Sequence, residues 1–258
     1  MEDDVKIFIN DPDKSPTLVY LPGIHGDASL VREFKKYVAG KLRFIEIEYG
    51  RNPDWEIQNY ADRIEAALKR CGVDECYLLA ESFGSQVMWA IMSKPRSFKV
   101  KGIILAGGFV RHPFISGVKI AKAVTKILSL RMIELYLRSY IWICKLLFRK
   151  EHRDKQVLNE FKRNRIDDAD RRAIIKRYEL IIKNDHRTVA KTVQAPVYFL
   201  AGRWDYIIVP RGPVLRWLRK NSPSFCDYKI IDGADHPVLA NAPESSAKQI
   251  LQWLGINY

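Results

Sequence analysis

The chain of 258 residues is long enough to bury one sizeable apolar core, and its 47% hydrophobic and 11% aromatic residues exclude an intrinsically disordered protein. Its four cysteines are scattered without CxxC spacing, which argues against a zinc site or a disulfide framework and favours a cytoplasmic protein with reduced thiols. The formal net charge is +13, and residues 111–192 carry almost all of this excess, with 21 Lys and Arg against 9 Asp and Glu.

The first 110 residues alternate short apolar runs with amphipathic stretches, which predicts a mostly parallel sheet built from βαβ units. The acidic start lacks the basic and apolar parts of a secretory signal and leads into a strand-like stretch at 5–9. Four further strands and two helices follow from apolar runs, helical spacing and terminal Gly or Pro. These strands cover 17–21, 42–47, 76–80 and 102–106, and the helices cover 55–71 and 85–92.

The alternation then stops, and residues from about 113 to 191 are predicted to be helical throughout. The charged side chains of 131–149 fall on a stripe about 60° wide, and they interrupt every window that could span a membrane. The wide apolar face of this helix predicts that it packs on the core, roofs an acyl pocket or lies on an anionic membrane. In the more polar segment that follows, the predicted buried stripe consists of Ile174, Ile175, Tyr178 and Ile182.

The βα rhythm resumes with a strand at 196–201, a helix at 214–220, a strand at 228–231 and a final helix at 242–254. The chain is therefore predicted to be an α/β protein with a mostly parallel sheet of about seven strands. In this prediction, residues 1–110 and 193–258 form the core, and residues 111–192 form a helical block that interrupts it.

The best candidate for a nucleophile is Ser82, in the stretch Ala80-Glu81-Ser82-Phe83-Gly84 between a strand and a helix. A sharp strand-to-helix turn strains the backbone of its central serine and exposes the hydroxyl above the sheet. The residues two positions before and two positions after this serine must be small, because the strand and the helix cross there. An ordinary strand-to-helix turn is the alternative, so the interpretation depends on partners elsewhere in the chain.

A general base and an acid are predicted in two later loops at the carboxyl ends of strands. His236 follows the last predicted strand and would accept the proton of Ser82, while Asp205 follows the preceding strand and would orient the imidazole. Asp232 and Asp235 are nearer to His236 in sequence, but Asp235 shares its tight turn, where neighbouring side chains tend to point apart. Asp205 is therefore the preferred acid.

An oxyanion formed at Ser82 needs two N–H donors, and Phe83, the residue after the nucleophile, is expected to supply one of them. The second would come from the loop 21–27, where Ile24 is preferred because the donor should follow the strand directly, and Asp27 is the alternative. His25 is interpreted as a loop residue that shapes the pocket. The remaining histidines are interpreted as surface or helical residues: His112, His152 and His186.

Across nearly its whole length the chain resembles the α/β-hydrolase superfamily. The matching motifs are Leu-Pro-Gly-Ile-His-Gly-Asp at 21–27, Ala-Glu-Ser-Phe-Gly at 80–84, Gly-Arg-Trp-Asp with Tyr-Ile-Ile-Val-Pro at 202–210, and Gly-Ala-Asp-His-Pro at 233–237. The resemblance implies a cap at 111–192 and esterase, lipase, thioesterase, lactonase or acyltransferase chemistry without a cofactor or metal. Serine at 82 argues against the haloalkane dehalogenase and epoxide hydrolase branches, which carry Asp there. Ala80 departs from the usual first glycine.

These observations favour a serine hydrolase that cleaves carboxylic esters with a small or medium apolar acyl group. The alternatives are an acyltransferase or thioesterase with the same residues, or a non-catalytic binding protein that uses the basic cap. The expected partners are a small-molecule ester and, through the cap, an anionic membrane or lipid. Nucleic-acid binding is not expected, because no recognition motif accompanies the positive charge.

Overall fold

The computed structural model describes residues 4–127, 132, 167–205 and 211–258. These residues form a seven-stranded sheet in the order β1-β3-β2-β4-β5-β6-β7. The strands are β1 (Lys6–Asn10), β2 (Thr17–Leu21), β3 (Arg43–Glu48), β4 (Glu75–Glu81), β5 (Lys99–Ala106), β6 (Val197–Gly202) and β7 (Phe225–Ile231). Only β1 runs antiparallel to its neighbour, so the predicted α/β fold with a mostly parallel sheet of about seven strands is confirmed.

The helices of the described residues cover both faces of this sheet. They are α1 (Arg32–Val38), α2 (Ile57–Arg70), α3 (Gly84–Met92), α4 (Ile115–Ile127), α5 (Asp168–Lys183), α6 (Arg187–Thr192), α7 (Arg211–Asn221), α8 (Val238–Asn241) and α9 (Pro243–Trp253). Neighbouring strand residues belong to opposite apolar clusters: Leu78 packs beneath α2 and α3, whereas Leu79 packs beneath α1 and α9. This alternation follows from the two-residue period of a strand.

The pairing register brings the carboxyl ends of the central strands together. Leu21 at the end of β2 lies opposite Ala80 of β4, and Glu81 lies opposite Ala106 at the end of β5. The loops that follow β2, β4 and β5 therefore begin side by side, at the sheet edge where open α/β proteins bind their ligands.

The sequence-based elements match the observed ones to within a few residues, but α1 and α8 were not predicted. The predicted buried stripe of the segment 151–186 was wrong except for Ile174. On α5 the buried residues are Ala173, Ile174, Arg177, Leu180 and Ile181, so this helix directs an arginine towards the core.

The described parts of 113–191 are helical, as α4, α5 and α6. The predicted amphipathic helix over 131–149 lies outside the described residues except for Met132, which is half exposed. The division into a core and a cap with boundaries at 110 and 193 stays a prediction.

Candidate active site

Ser82 follows β4 in a strained backbone conformation. Its φ is +49°, in the left-handed region that costs a non-glycine residue about 1–3 kcal/mol. The turn is held because the Ser82 N–H donates to the Ala106 carbonyl at 3.1 Å, and its own carbonyl accepts from the Ser85 N–H and hydroxyl. A side chain on Gly84 would overlap the carbonyl oxygen of Leu21, which explains the small residue required at that position.

The structure brings Ser82, His236 and Asp205 into one hydrogen-bonded line. His236 Nε2 lies 2.9 Å from Ser82 Oγ, and His236 Nδ1 lies 2.9 Å and 3.0 Å from the two carboxylate oxygens of Asp205. The Asp205 carboxylate accepts a hydrogen bond from Nδ1–H, so the neutral imidazole keeps Nε2 free to accept the serine proton. Asp205 and His236 are both buried, which strengthens the electrostatic attraction between them.

The pKa of His236 reflects two opposing influences. Burial lowers it, but the Asp205 carboxylate, with smaller contributions from Glu81 and Asp235, raises it above its usual value overall. A base with a raised pKa is a stronger proton acceptor once it is neutral, and it reaches that state only at a higher pH.

The two loops that carry the acid and the base are tied to each other by the backbone. Arg203 N–H donates to the carbonyl of Ile231, and Trp204 N–H donates to that of Ala234, both at 2.9 Å. On its other side the His236 ring is confined by Gly107, where a Cβ would lie 3.2 Å from two ring atoms. Gly107 also has a φ of +56°, so a residue with a side chain would be strained there.

The two competing acids have other contacts. Asp232 is exposed and pairs with Arg203, and Asp235 accepts a hydrogen bond from Asn241. The geometry therefore places Asp205, rather than either of these residues, against the imidazole.

The candidate oxyanion donors are located near the nucleophile. Phe83 is fully buried and immediately precedes α3. A Cβ on Gly23 would lie 3.5 Å from Ser82 Cβ, so the residue before Ile24 lies close to the serine. The Asp27 side chain accepts the N–H of Ser29 at 2.9 Å, at the start of the short 3₁₀ turn there. The preference for Ile24 over Asp27 stays a prediction.

Sequence reasoning missed a buried acid next to the nucleophile. Glu81 is 1% exposed, and one of its carboxylate oxygens accepts a short hydrogen bond from the Tyr20 hydroxyl. Burial raises the pKa of Glu81 to about 7, although the Tyr20 hydrogen bond and the nearby His236 oppose this change. The signal available in the sequence was an acidic residue within an otherwise apolar strand.

The interpretation of His112 as a surface or helical residue was wrong, as was a surface position for His186. His112 is buried against the edge of the Phe109 ring, and its Nδ1 accepts the N–H of Phe114 at 3.1 Å. Burial, with a smaller repulsion from His236, lowers the pKa of His112 to about 4, and burial lowers that of His186 to about 4. His152 lies outside the described residues, and His25 has an exposed side chain.

No metal-binding cluster of three or more His, Cys, Asp or Glu side chains occurs within the ranges that the structure describes. Among the same residues, no helix has the length and apolar character needed to cross a membrane.

The sheet, the turn at Ser82 and the loops that carry Asp205 and His236 have the arrangement of an α/β hydrolase. A family model described as serine aminopeptidase, S33, matches residues 53–243, and the chain belongs to this family of α/β-hydrolase enzymes. A comparison with curated proteins found no match.

Several solved structures share the fold at low sequence identity. The α/β hydrolase MGS-M2 from a Medee basin deep-sea metagenome library has a TM-score of 0.79 and 13% identity, with 98% of this chain and 95% of that chain covered. An esterase from Exiguobacterium antarcticum has a TM-score of 0.79 and 14% identity, with 97% and 95% covered. An enol-lactonase from Burkholderia xenovorans LB400 has a TM-score of 0.76 and 12% identity, with 97% and 96% covered.

Proposed function

We propose that the protein is a serine hydrolase that cleaves carboxylic esters with a small or medium apolar acyl group through an acyl-serine intermediate. The observation that carries this proposal is the 2.9 Å separation between Ser82 Oγ and His236 Nε2, with Asp205 on the other ring nitrogen. A nucleophile, a base and an orienting acid in this order are the minimal machinery for acyl transfer to a serine. The esterases and the lactonase among the structures with this fold support the same chemistry.

In the first half of the proposed reaction, Ser82 Oγ forms a bond to the ester carbonyl carbon while His236 Nε2 takes the hydroxyl proton. The carbonyl oxygen becomes an oxyanion, which accepts hydrogen bonds from the N–H groups of Ile24 and Phe83. When this intermediate collapses, the bond to the alcohol oxygen breaks and His236 returns its proton to the leaving alcohol. The acyl group stays on Ser82 as an ester.

In the second half, His236 takes a proton from water as the water oxygen attacks the acyl carbon. Collapse of the second tetrahedral intermediate releases the carboxylic acid, and the proton on His236 restores the Ser82 hydroxyl. Asp205 stays ionised throughout and stabilises the imidazolium that forms in each half.

The proposal is tested by labelling with a fluorophosphonate, which reacts with an activated serine. We expect Ser82→Ala to abolish labelling and to lower the hydrolysis of p-nitrophenyl esters by at least about 10⁴-fold. Ser93→Ala is the matched control, because Ser93 caps the far end of α3 by donating to the Ala90 carbonyl. Undiminished ester hydrolysis by Ser82→Ala would refute the mechanism.

The substrate class is tested with a panel of p-nitrophenyl esters of increasing chain length and with aminoacyl p-nitroanilides as the amide arm. The proposal expects Ser82-dependent turnover of short or medium esters and slower turnover of anilides. Faster turnover of the aminoacyl anilides would replace the proposed esterase activity by aminopeptidase activity, which the name of the family suggests.

We also propose a cytoplasmic location and a weak attraction to anionic membranes through the segment 111–192. The free thiols of Cys71, Cys76 and Cys226 support a reducing compartment. The charge excess of the segment supports the attraction to anionic lipid.

A further inference from the structure

Arg177 on α5 carries a charge that the proposed reaction does not use. The residue is 2% exposed and is among the largest fully buried side chains of the described chain. Within this part of the chain, its hydrogen-bond partners are oxygens of neutral groups, which are three backbone carbonyls and one tyrosine hydroxyl. A buried cation needs such partners, because burial removes the water that would otherwise solvate it.

Two of these carbonyls belong to the loop that follows β2. Arg177 Nη1 lies 2.9 Å from the carbonyl oxygen of Ile24 and 2.8 Å from that of His25. On the other side, Nη2 donates to the carbonyl of Gly50 at 3.1 Å, and Nε lies 3.4 Å from the Tyr60 hydroxyl. The guanidinium therefore joins the loop to the segment after β3 and to α2.

The contact is tight enough to restrict the loop. Gly26 has a φ of +81° and donates its N–H to the Gly23 carbonyl at 3.1 Å, which closes a turn around Ile24. A Cβ on Gly26 would lie only 2.5 Å from Arg177 Nη1, so the loop backbone and the guanidinium are already in contact.

The orientation of these peptide groups matters because each peptide is planar. The Ile24 N–H lies in the peptide plane of the Gly23 carbonyl, which accepts a hydrogen bond from the Gly26 N–H. Arg177 holds the carbonyls of the next two peptides, so this turn cannot rotate without losing charge-assisted hydrogen bonds. Rotation of this turn would move the Ile24 N–H away from the oxyanion, which would then lose one donor to its developing charge.

We propose that Arg177 is a positioning residue for the oxyanion donor at Ile24, supplied by the helical segment between β5 and β6. This inference rests on the proposed function, because it assigns a purpose to the N–H of Ile24 during ester cleavage. The segment 111–192 then contributes to the rate of ester cleavage as well as to any substrate contact. A displacement of α5 would break the hydrogen bonds from Arg177 to the loop after β2.

The test uses two variants. Arg177→Lys keeps the charge but replaces the forked guanidinium by a single ammonium group, and Arg177→Met removes the charge. The matched control is Arg171→Met on the same helix, because Arg171 also donates to backbone carbonyls, but to those of Thr125 and Lys126 on α4. The readouts are kcat, KM, the melting temperature and the inhibition constant of an alkyl trifluoromethyl ketone, which forms a tetrahedral oxyanion with an active serine.

We expect both Arg177 variants to lower kcat by about 10- to 100-fold and to weaken the trifluoromethyl ketone by a similar factor, with KM changed little. Arg171→Met is expected to change neither quantity. A purely structural role would lower the melting temperature without this parallel between kcat and ketone affinity.

Gly26→Ala disturbs the same contact, because its Cβ pushes the guanidinium away, but the φ of +81° means that it also strains the loop itself. If Arg177→Met does not melt cooperatively, Arg177→Lys decides the outcome. Folded variants with kcat and ketone affinity within about twofold of wild type would overturn the inference. The proposed function fails separately, when the wild-type protein shows no Ser82-dependent labelling or turnover.

Discussion

The carboxyl edge of the sheet and the helical segment between β5 and β6 use charged residues in opposite ways. At the sheet edge, Asp205 and Glu81 are almost completely buried, and each has a defined partner in His236 or Tyr20. In the helical segment the described charges are mostly exposed. Those that pair do so across the surface, as in Lys122 with Glu179 at 3.0 Å and Arg111 with Asp185 at 3.0 Å.

The difference shows that burial, rather than residue type, decides what a charge contributes. An exposed pair of this kind is worth about 0–1 kcal/mol and is screened by salt, whereas a buried charge controls the pKa and the geometry of its neighbours. Arg177 belongs to the helical segment by sequence and to the sheet edge by its environment. The following predictions test this contrast, beginning with the largest expected effect.

The largest effect is expected from Asp205→Asn. The amide cannot hold His236 in the tautomer that keeps Nε2 free, so under the proposed mechanism kcat should fall by about 10³- to 10⁴-fold, the size of the loss in Ser-His-Asp enzymes. Asp235→Asn is the matched control, because Asp235 pairs with Asn241 beside the same histidine, and it should change kcat by less than about tenfold. The reverse ranking in steady-state kinetics would reassign the acid.

A smaller effect is expected from Glu81→Gln on the pH dependence of the reaction. In the proposed mechanism, the acidic limb of kcat/KM reports the loss of activity as His236 becomes protonated, and it should lie above the usual histidine pKa of about 6.5. Glu81 contributes to raising the pKa of His236, so its neutralisation lowers that pKa and moves the acidic limb to lower pH.

The control for this profile is Glu75→Gln at the exposed start of the same strand, which should leave the limb in place. The substitution at 81 keeps an oxygen that accepts from the Tyr20 hydroxyl, and this limits structural loss. If the acidic limb of Glu81→Gln stays at its wild-type position, Glu81 does not influence the pH profile.

The smallest effect is expected on the surface of α4, where Lys119 and Lys126 are exposed beside the apolar Ile120 and Ile127. Sedimentation with phosphatidylserine vesicles at low salt should decrease by at least about tenfold in the double variant Lys119→Glu/Lys126→Glu, and high salt should abolish binding of the wild type.

The matched control, Lys69→Glu/Lys220→Glu, makes the same change in net charge at exposed positions on α2 and α7. An equal loss in both double variants would assign the attraction to overall charge. Binding that is insensitive to salt, or no binding at all, would contradict the proposed contact.

Much of the fold and part of the candidate site could be predicted because they depend on local patterns. The turn at Ser82 is recognisable from an apolar strand, a small residue at Ala80 and Gly84 at the start of a helix. The strand boundaries follow from apolar runs that end at Gly or Pro, and they agree with the observed sheet to within a few residues. Such features involve residues that are neighbours along the chain.

Apart from the partnership of Ser82 with His236, features that depend on distant residues could be predicted only as alternatives or not at all. The sequence offered Asp205, Asp232 and Asp235 as acids, and the pairing of β6 with β7 and of their loops brought Asp205 to the imidazole. Arg177 was left out of the predicted stripe of α5, because hydropathy assigns an arginine to solvent.

The sequence by itself determined the order of the strands and of most helices, the position of the strained serine and the set of residues from which its partners come. Tertiary structure decided which carboxylate meets His236, which histidines are buried, and that a cation on α5 reaches the carbonyls of Ile24 and His25. The physical reason is that burial and long-range pairing depend on residues that are distant along the chain, 31 positions apart for Asp205 and His236 and 153 for Arg177 and Ile24, whereas turns and periodicity are properties of adjacent residues.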